Sequence, residues 1–196
     1  EADEYDKSFL QLKPTISVIT NIEKEHMDCY NDLEDLHNSF AQFANSVPFY
    51  GALVACLDSA GVQKILPQVK RPVITYGLSS QAEISAKNIR SNKMDTTYSL
   101  YRHNQKCGDV TLHVPGIHNV LNSLAAAAIG FEMGLDVETV SNGISSYGGV
   151  RRRFELKGIA RDIMVVDDYA HHPTEVAATL QAARDGWDRR IVAVFQ

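Results

Sequence analysis

Residues 115–128 read Pro115-Gly116-Ile117-His118-Asn119-Val120-Leu121-Asn122-Ser123-Leu124-Ala125-Ala126-Ala127-Ala128. Pro115 and Gly116 interrupt the preceding strand, and the residues after them form the most helix-favouring run in the chain. Asn119 and Asn122 lie three positions apart and therefore share one face of the first helical turn. An Asn side chain offers both a donor and an acceptor, as reading an adenine edge requires, and a helix N-terminus presents free N–H groups to anions. The segment predicts either a nucleotide-base pocket or a helix start in which Asn119 is only a cap and Asn122 faces solvent.

Strands and helices alternate before this segment. Apolar runs predict strands over residues 16–20, 51–57 and 72–77, and helical spacing predicts helices over 31–47 and 59–69 between them. The first of these helices has Asn31 or Asp32 as its expected cap. This alternation indicates βαβ crossovers and a parallel sheet. Shorter alternating segments between residues 83 and 114 predict an antiparallel ribbon or small lobe.

The chain after residue 116 predicts two more helices and then a second unit. The helix that carries the two asparagines extends to Met133, with Gly134 as its terminator, and another helix follows over 137–145. The glycine pair 148–149 is the best linker candidate, and we expect a domain boundary there, with domains over 1–150 and 151–196. The second unit begins with a predicted βαβ arrangement, which comprises a strand over 163–167, a helix over 173–185 and a strand over 191–195.

Composition excludes several classes of function. The chain has 196 residues, of which 44% are hydrophobic and 22% are charged, as in ordinary globular proteins. Its formal net charge of -5 argues against general binding of nucleic acids or anionic membranes. No apolar run approaches the roughly 20 residues that span a bilayer, and no leader opens the sequence, so we expect a cytosolic protein. Three widely spaced cysteines without a CxxC pair favour neither a disulfide framework nor a thiolate zinc site.

Glu1 and His26 are the first candidates for metal binding. Further carboxylates lie close to them in sequence, at Asp3, Glu4, Glu25 and Asp28. Such a set suits one or two hard divalent ions such as Mg²⁺, with His as a less usual ligand. The alternative is an exposed acidic segment and a surface histidine.

A basic triplet, Arg151 to Arg153, follows the glycine pair. The guanidinium fork of arginine pairs bidentately with phosphate oxygens, and the neighbouring glycines would let the triplet swing onto a nucleotide. The alternative is a solvated linker that binds nothing.

The strongest local signal is Asp167-Asp168-Tyr169-Ala170-His171-His172-Pro173-Thr174-Glu175. Two carboxylates leave the end of an apolar strand, two histidines follow at the turn, and Pro173 fits the first turn of a helix. Asp168 is suited to accept hydrogen bonds from ribose hydroxyls, and either histidine is suited to bind a phosphate or move a proton. The alternative is that Thr174 and Glu175 only cap the helix.

Together these motifs resemble those of the Mur ligase family. The matching segments keep the family's order and spacing over essentially the whole chain. They are Glu1-Ala2-Asp3-Glu4, Ser8-Phe9-Leu10, Thr20-Asn21-Ile22-Glu23-Lys24-Glu25-His26-Met27-Asp28, Val47-Pro48-Phe49-Tyr50-Gly51, Pro115 to Asn122, Arg152-Arg153-Phe154 and Asp167 to Glu175. The runs 27–30 and 48–51 are most similar to the branch of the family that adds L-alanine.

The resemblance implies an α/β fold and a ligase activity. The fold would be a partial central ATPase domain, with a parallel sheet and a small antiparallel lobe, followed by the start of a Rossmann-like C-terminal domain. The activity would be ATP-dependent and Mg²⁺-dependent joining of L-alanine to UDP-N-acetylmuramate in peptidoglycan precursor synthesis. ATP would phosphorylate the lactyl carboxylate, the amine of L-alanine would attack the acyl phosphate, and a tetrahedral intermediate would lose phosphate.

The resemblance also implies roles for individual residues in metal and phosphate binding. Glu1 would bind a Mg²⁺ near the γ-phosphate, and His26 would bind a second Mg²⁺. Arg153 would meet the ATP phosphates. These three are therefore the predicted catalytic residues.

The remaining implied roles concern the nucleotide and the substrates. Asn119 and Asn122 would hold adenine, and Asp168 would bind ribose. Tyr169 and His171 would lie near the acceptor site.

Two parts of the family pattern are absent from this sequence. A glycine-rich phosphate loop of the GxxGKT type, with the domain that binds the UDP moiety, is expected before Glu1, and a basic segment is expected after Gln196. We therefore expect an internal piece of an enzyme, without ligase activity on its own. A non-catalytic nucleotide-binding module, another Mur-type amino-acid ligase and a metal-dependent phosphohydrolase stay open as alternatives, and the sequence does not determine the oligomeric state.

Overall fold

A computed structural model describes residues 3–25 and 27–195 of the chain. Its main sheet has six strands in the order β1 to β6. The strands are β1 (Ile16–Ile19), β2 (Ala52–Cys56), β3 (Val73–Gly77), β4 (Ile84–Asn92), β5 (Asp95–Arg102) and β6 (Gln105–Leu112). A second sheet pairs β7 (Glu155–Ala160) with β8 (Ile163–Asp167). The α-helices are α1 (Leu33–Asn45), α2 (Ala60–Ile65), α3 (Ile117–Glu132), α4 (Val137–Ser145) and α5 (Pro173–Gly186).

The first four strands are parallel, as the alternation of strands and helices predicts. The helix predicted over 31–47 is α1, and Asp32 is its cap, since the Asp32 carboxylate accepts the Asp35 N–H at 2.8 Å. The helix predicted over 59–69 is α2, which begins after Ser59 and continues into a short 3-10 turn over Leu66–Gln68.

The antiparallel ribbon predicted between residues 83 and 114 is confirmed as β4, β5 and β6. It is continuous with the parallel strands, because β4 pairs with β3 in parallel and with β5 in antiparallel orientation. A two-residue turn joins β5 to β6, with φ of 47° at His103 and 62° at Asn104. Two successive left-handed residues match the twist of the flanking strands.

Two apolar clusters cover the two faces of the main sheet. Val54 and Cys56 of β2 belong to one cluster with α3 and α4, whereas Leu53 and Ala55 belong to the other with α1 and α2. Side chains alternate across a strand, so every residue of β2 is buried. The sheet is thus covered by helices on both sides, which is the layering of α/β domains.

Helix α3 packs against β2, β3 and β4. Its Val120 and Leu124 side chains are completely buried. It ends at the predicted terminator, where Gly134 has a φ of 78° and its N–H donates to the Phe131 carbonyl at 3.0 Å. Helix α4 has the predicted bounds, Val137–Ser145. Among the described residues, no helix has both the length and the hydropathy required to cross a bilayer.

The βαβ arrangement predicted over residues 163–195 is wrong in its last strand. Residues 191–195 form no strand, and Val194 is 95% exposed. The apolar composition favours a strand, but a strand also needs a neighbour with which to share backbone hydrogen bonds. β8 instead pairs with β7 in antiparallel orientation through a turn at Arg161 and Asp162, a hairpin that the sequence pattern did not predict.

Candidate functional site

The loop that carries Arg153 is held by Asp168. The two Asp168 carboxylate oxygens accept the N–H groups of Phe154 and Ala170, each at 2.8 Å. The Tyr169 N–H donates to the Arg152 carbonyl at 2.7 Å and closes the same loop. Asp168 is therefore a backbone-organising residue in this structure. Each carboxylate oxygen has two lone pairs, so capacity for a ribose hydroxyl remains.

Arg153 lies beside Glu175 and Tyr169. Its Nη1 is 3.3 Å from Glu175 Oε1, and its guanidinium carbon is 5.7 Å from the centroid of the Tyr169 ring. The guanidinium carbon of Arg152 is 4.7 Å from the same centroid. Two side chains of the basic triplet thus lie near one aromatic ring while all three arginines are exposed, and phosphate binding by the triplet stays a prediction.

Tyr169 and His171 form the exposed part of this cluster. Their rings meet edge to face with centroids 5.2 Å apart, and Tyr169 is 47% exposed. His171 Nδ1 is 3.0 Å from the Tyr169 carbonyl oxygen, which favours the Nδ1–H tautomer as a donor. Both predicted acceptor-site residues therefore lie together with Arg153 at the N-terminal end of α5.

Asn119 lies in the first turn of α3, as the sequence predicts. The helix cap is Gly116, with a φ of 99°, and a Cβ at this position would lie 2.6 Å from His118 Cε1. Asn119 lies inside the helix, where its Nδ2 donates to the Pro115 carbonyl at 2.7 Å. The alternative that Asn119 is only a cap is therefore wrong. Asn122 is exposed on α3, as the same alternative expects, and the adenine pocket stays a prediction.

His118 connects α3 electrostatically to the Arg153 cluster, and sequence reasoning did not select it. Burial lowers the pKa of its imidazole, and Asp168 and Glu175 only partly oppose this effect, while Arg153 adds to it. Among the described residues its Nδ1 has no hydrogen-bond partner, and its Nε2 is 3.2 Å from Asn119 Nδ2. The His118 imidazole thus contacts Asn119 and interacts electrostatically with Arg153, Asp168 and Glu175.

The predicted metal ligands Glu1 and His26 lie outside the described residues. Within residues 3–25 and 27–195, no group of three or more His, Cys, Asp or Glu side chains is arranged to hold a metal ion. Nearby carboxylates have other contacts. Asp28 accepts the Tyr5 hydroxyl at 3.1 Å, and Asp3 accepts the Tyr5 N–H at 2.9 Å.

The loop after β1 meets the N-terminal end of α5. Thr174 Oγ1 donates to Glu23 Oε2 at 2.7 Å. His172 lies between two carboxylates, with Nδ1 3.7 Å from Glu23 Oε2 and Nε2 3.6 Å from Glu25 Oε1. These contacts place Glu23 and Glu25 directly beside the Asp168 to Glu175 segment.

A cavity of about 340 Å³ adjoins the loop after β1. Asn21, Glu23 and Glu25 form its polar side, and Phe9 with Phe43 forms part of its apolar side. Polar groups that follow the carboxyl end of a parallel strand are placed where open α/β sheets bind ligands.

The sequence pattern did not predict that four residues of this region belong to the site: His118, Glu23, Thr174 and Glu175. The role of Glu175 at the helix start could have been predicted, because Glu175 stands three positions after His172, which is the spacing of a capping box. The roles of Glu23 and Thr174 could not have been predicted in this way, since their contact joins positions 151 residues apart.

Comparisons with known families and proteins agree with this architecture. The Mur ligase middle domain matches residues 2–130, and the Mur ligase glutamate ligase domain matches residues 152–196. A UDP-N-acetylmuramate–L-alanine ligase of Salinibacter ruber is 52% identical over 197 aligned residues, which cover 100% of this chain and 42% of that protein. One of Geotalea daltonii is 50% identical, with 100% and 43% covered.

Solved structures give the same result for the fold. The UDP-N-acetylmuramate–alanine ligase of Thermotoga maritima aligns with a TM-score of 0.81 and 25% identity, covering 96% of this chain and 42% of that one. MurF of Acinetobacter baumannii aligns with a TM-score of 0.81 at 19% identity, covering 94% and 40%. The chain spans less than half the length of these relatives. Since the middle-domain match alone covers more than half of the chain, the chain belongs to the Mur ligase family.

Proposed function

We propose that the protein containing this chain is a cytoplasmic, ATP-dependent ligase that joins L-alanine to UDP-N-acetylmuramate in peptidoglycan precursor synthesis. One observation carries the proposal. Relatives named UDP-N-acetylmuramate–L-alanine ligase are 46% to 52% identical to this chain over its whole length. The aligned range spans the whole chain, so it includes the segments of both matched domains.

We further propose that the chain contributes two parts of this enzyme. Residues 1–150 would belong to the central ATP-binding domain, and residues 151–196 would form the linker and the start of the C-terminal domain. The two matched ranges, 2–130 and 152–196, support this division. The irregular segment between α4 and β7 contains the glycine pair and provides the connection.

In this proposal ATP is bound between α3 and the loop of Arg153. Asn122 offers an exposed amide, and Asn119 keeps its Oδ1 after its Nδ2 is used by Pro115. Arg153 presents guanidinium donors beyond the single contact with Glu175. These side chains suit adenine and phosphate in turn, and Asp168 retains acceptor capacity for ribose.

Magnesium and the acceptor substrate complete the proposed site. Glu1 and His26 would bind Mg²⁺, which neutralises charge as the phosphoryl group is transferred to the lactyl carboxylate. The amine of L-alanine would attack the acyl phosphate, so an amide bond forms as phosphate leaves. Tyr169 and His171 are exposed beside Arg153 and would border the acceptor.

The test is phosphate release by the protein expressed from its complete coding sequence. We expect release that requires ATP, UDP-N-acetylmuramate and L-alanine together. Glu1→Ala and His26→Ala should each lower kcat by several orders of magnitude, whereas Asn122→Ala should raise the KM for ATP. Phosphate release without any amino acid would favour a phosphohydrolase instead, and nucleotide binding without any release would favour a binding module.

A further inference from the structure

We propose that Glu175 is a positioning residue that orients the Arg153 guanidinium toward the phosphate groups of a bound nucleotide. The inference deepens the proposed function and rests on it, because it assigns Arg153 to phosphate. It concerns a residue that touches neither nucleotide nor substrate in the proposed site. Three observations support this proposal: the conformation of the backbone around Arg153, the contacts of its guanidinium, and the different hydrogen-bond partners of the two Glu175 oxygens.

The backbone around Arg153 is fixed by its neighbours. Arg152 and Phe154 both adopt left-handed conformations, with φ of 59° and 48°. Such conformations cost free energy for residues other than glycine and persist only where surrounding contacts impose them. Phe154 is buried and stacks on Trp187 with ring centroids 5.5 Å apart, and its N–H is held by Asp168. The Arg153 Cα therefore has little freedom, and its side chain leaves a defined point.

The guanidinium is then held on one side only. Glu175 takes one Nη1 donor, and the guanidinium carbon lies over the Tyr169 ring, 5.7 Å from its centroid. An arginine has five N–H donors, so most of them remain for another acceptor. The Arg153 side chain is 52% exposed, which leaves those donors accessible. An arginine preset in this way loses less rotamer entropy when it meets a phosphate.

Glu175 uses its two oxygens for different tasks. Oε2 accepts the N–H groups of His171 and His172 at 3.2 and 3.4 Å, at the start of α5, while Oε1 faces Arg153. Burial raises the pKa of this carboxyl, but the hydrogen bonds from the two N–H groups and from Arg153 outweigh burial and lower the pKa overall. Glu175 is thus an ionised link between a helix start and the arginine.

This division allows the two tasks to be separated by substitution. Glutamine at the third helical position of a capping box keeps an acceptor oxygen for the backbone N–H groups. Its amide is neutral and loses the charged contact with Arg153. Glu175→Gln therefore removes the orientation of Arg153 and keeps the helix start, whereas Glu175→Ala removes both.

The experiment measures binding of a fluorescent ATP analogue to the protein expressed from its complete coding sequence. We expect Glu175→Gln to raise the Kd by roughly threefold to tenfold, since tenfold corresponds to about 1.4 kcal/mol and the lost contact is partly exposed. Its Tm should stay within about 1 °C of the unsubstituted protein. Glu138→Gln, in the first turn of α4, is the matched control and should change neither quantity.

A double-mutant cycle tests whether Glu175 acts through Arg153. Arg153→Ala should raise the Kd at least as much as Glu175→Gln, and adding Glu175→Gln to Arg153→Ala should change nothing further. An unchanged Kd in Glu175→Gln would overturn the proposal, as would an equal effect in the Arg153→Ala background or no analogue binding by the unsubstituted protein. Analogue binding that responds as expected, without alanine-dependent phosphate release, would support the role of Glu175 while contradicting the ligase function.

Discussion

Thr174 Oγ1 donates a hydrogen bond to Glu23 Oε2 at 2.7 Å, although 151 residues separate them in sequence. Glu23 follows β1 of the main sheet, and Thr174 lies in the first turn of α5. The contact ties the beginning of the chain to its last helix. His172 lies within 3.7 Å of the same Glu23 oxygen, so the two residues share one carboxylate.

Loss of the Thr174 hydroxyl should uncouple these two segments. We expect Thr174→Val and Glu23→Gln to destabilise the chain non-additively, with a coupling of about 0.5–1.5 kcal/mol, because the two side chains share one exposed hydrogen bond. Urea unfolding of the two single variants and the double variant measures this coupling. Thr174→Ser keeps the hydroxyl and should restore most of the lost stability. Additive effects of the two single substitutions would contradict the contact.

Stability should fall on acidification because of His118. Burial is the main cause of its lowered pKa, so the folded state takes up a proton less readily than the unfolded state. Between the ordinary value of 6.5 and the lower folded pKa, the unfolded state binds more protons. The contribution of neutral His118 is therefore complete above about pH 6.5 and is lost as the pH falls below it.

Urea unfolding at pH 7.5, 6.5 and 5.5 checks this prediction. His118→Gln should reduce the dependence of the unfolding free energy on pH. His37 provides a second, independent contribution, since burial also lowers its pKa, and Lys64 adds to this effect. His118→Gln and His37→Gln should each remove part of the slope, and an unchanged slope in His118→Gln would show that its imidazole titrates normally.

Substitutions of the two asparagines of α3 should differ in their effect on stability but not in the direction of their effect on nucleotide binding. Asn119→Ala removes the 2.7 Å bond to the Pro115 carbonyl, and we expect a loss of about 1 kcal/mol in unfolding free energy. Asn122→Ala changes an exposed side chain, and we expect a change within about 0.5 kcal/mol. Both should weaken binding of an ATP analogue. Tight analogue binding by Asn122→Ala would contradict the adenine assignment.

Two helical glycines should respond in opposite directions to an added methyl group. A Cβ at Gly61 would lie 2.2 Å from the Ile22 carbonyl oxygen, so we expect Gly61→Ala to cost at least about 2 kcal/mol. A Cβ at Gly143 would meet nothing within 4 Å, so Gly143→Ala should stabilise α4 by about 0.4–1 kcal/mol. Thermal unfolding of the two variants provides the comparison. Equal shifts would contradict the close approach of α2 to the loop after β1.

The sequence predicted elements whose bounds are set by neighbouring residues. Helix α4 has its predicted bounds, and the structure shows a local reason for its start, since the Asp136 carboxylate accepts the Thr139 N–H at 2.7 Å. β7 was not predicted, since it contains Gly158 and alternating charges. Its turn uses Arg161 and Asp162 at φ of 48° and 62°, in place of the Asn and Gly that usually announce such a hairpin.

The part of the candidate site that lies in one short segment was predictable from the sequence, and the part formed by distant residues was not. Asp168, Tyr169 and His171 form one short segment, and the family motif added Arg153 to it. Glu23 could not be assigned from sequence, because its partner Thr174 is brought near only by the packing of α5 on the rest of the chain. His118 was within the quoted motif, but its significance lies in burial beside the Arg153 cluster, and a sequence does not display burial.

The packing of α3 against three strands of the main sheet affects the affinity for a nucleotide. Val120, Leu124 and Ala127 are fully buried along this helix, so its first turn is already ordered before any ligand arrives. Because the backbone of this turn is ordered in the free protein, nucleotide binding does not have to order it. Ordering it on binding would cost about 1–2 kcal/mol per residue. The entropic cost that remains is that of ordering the side chains that meet the nucleotide from the Arg153 loop and α5. Affinity should therefore be adjustable through substitutions in residues 151–186 without disturbing the main sheet.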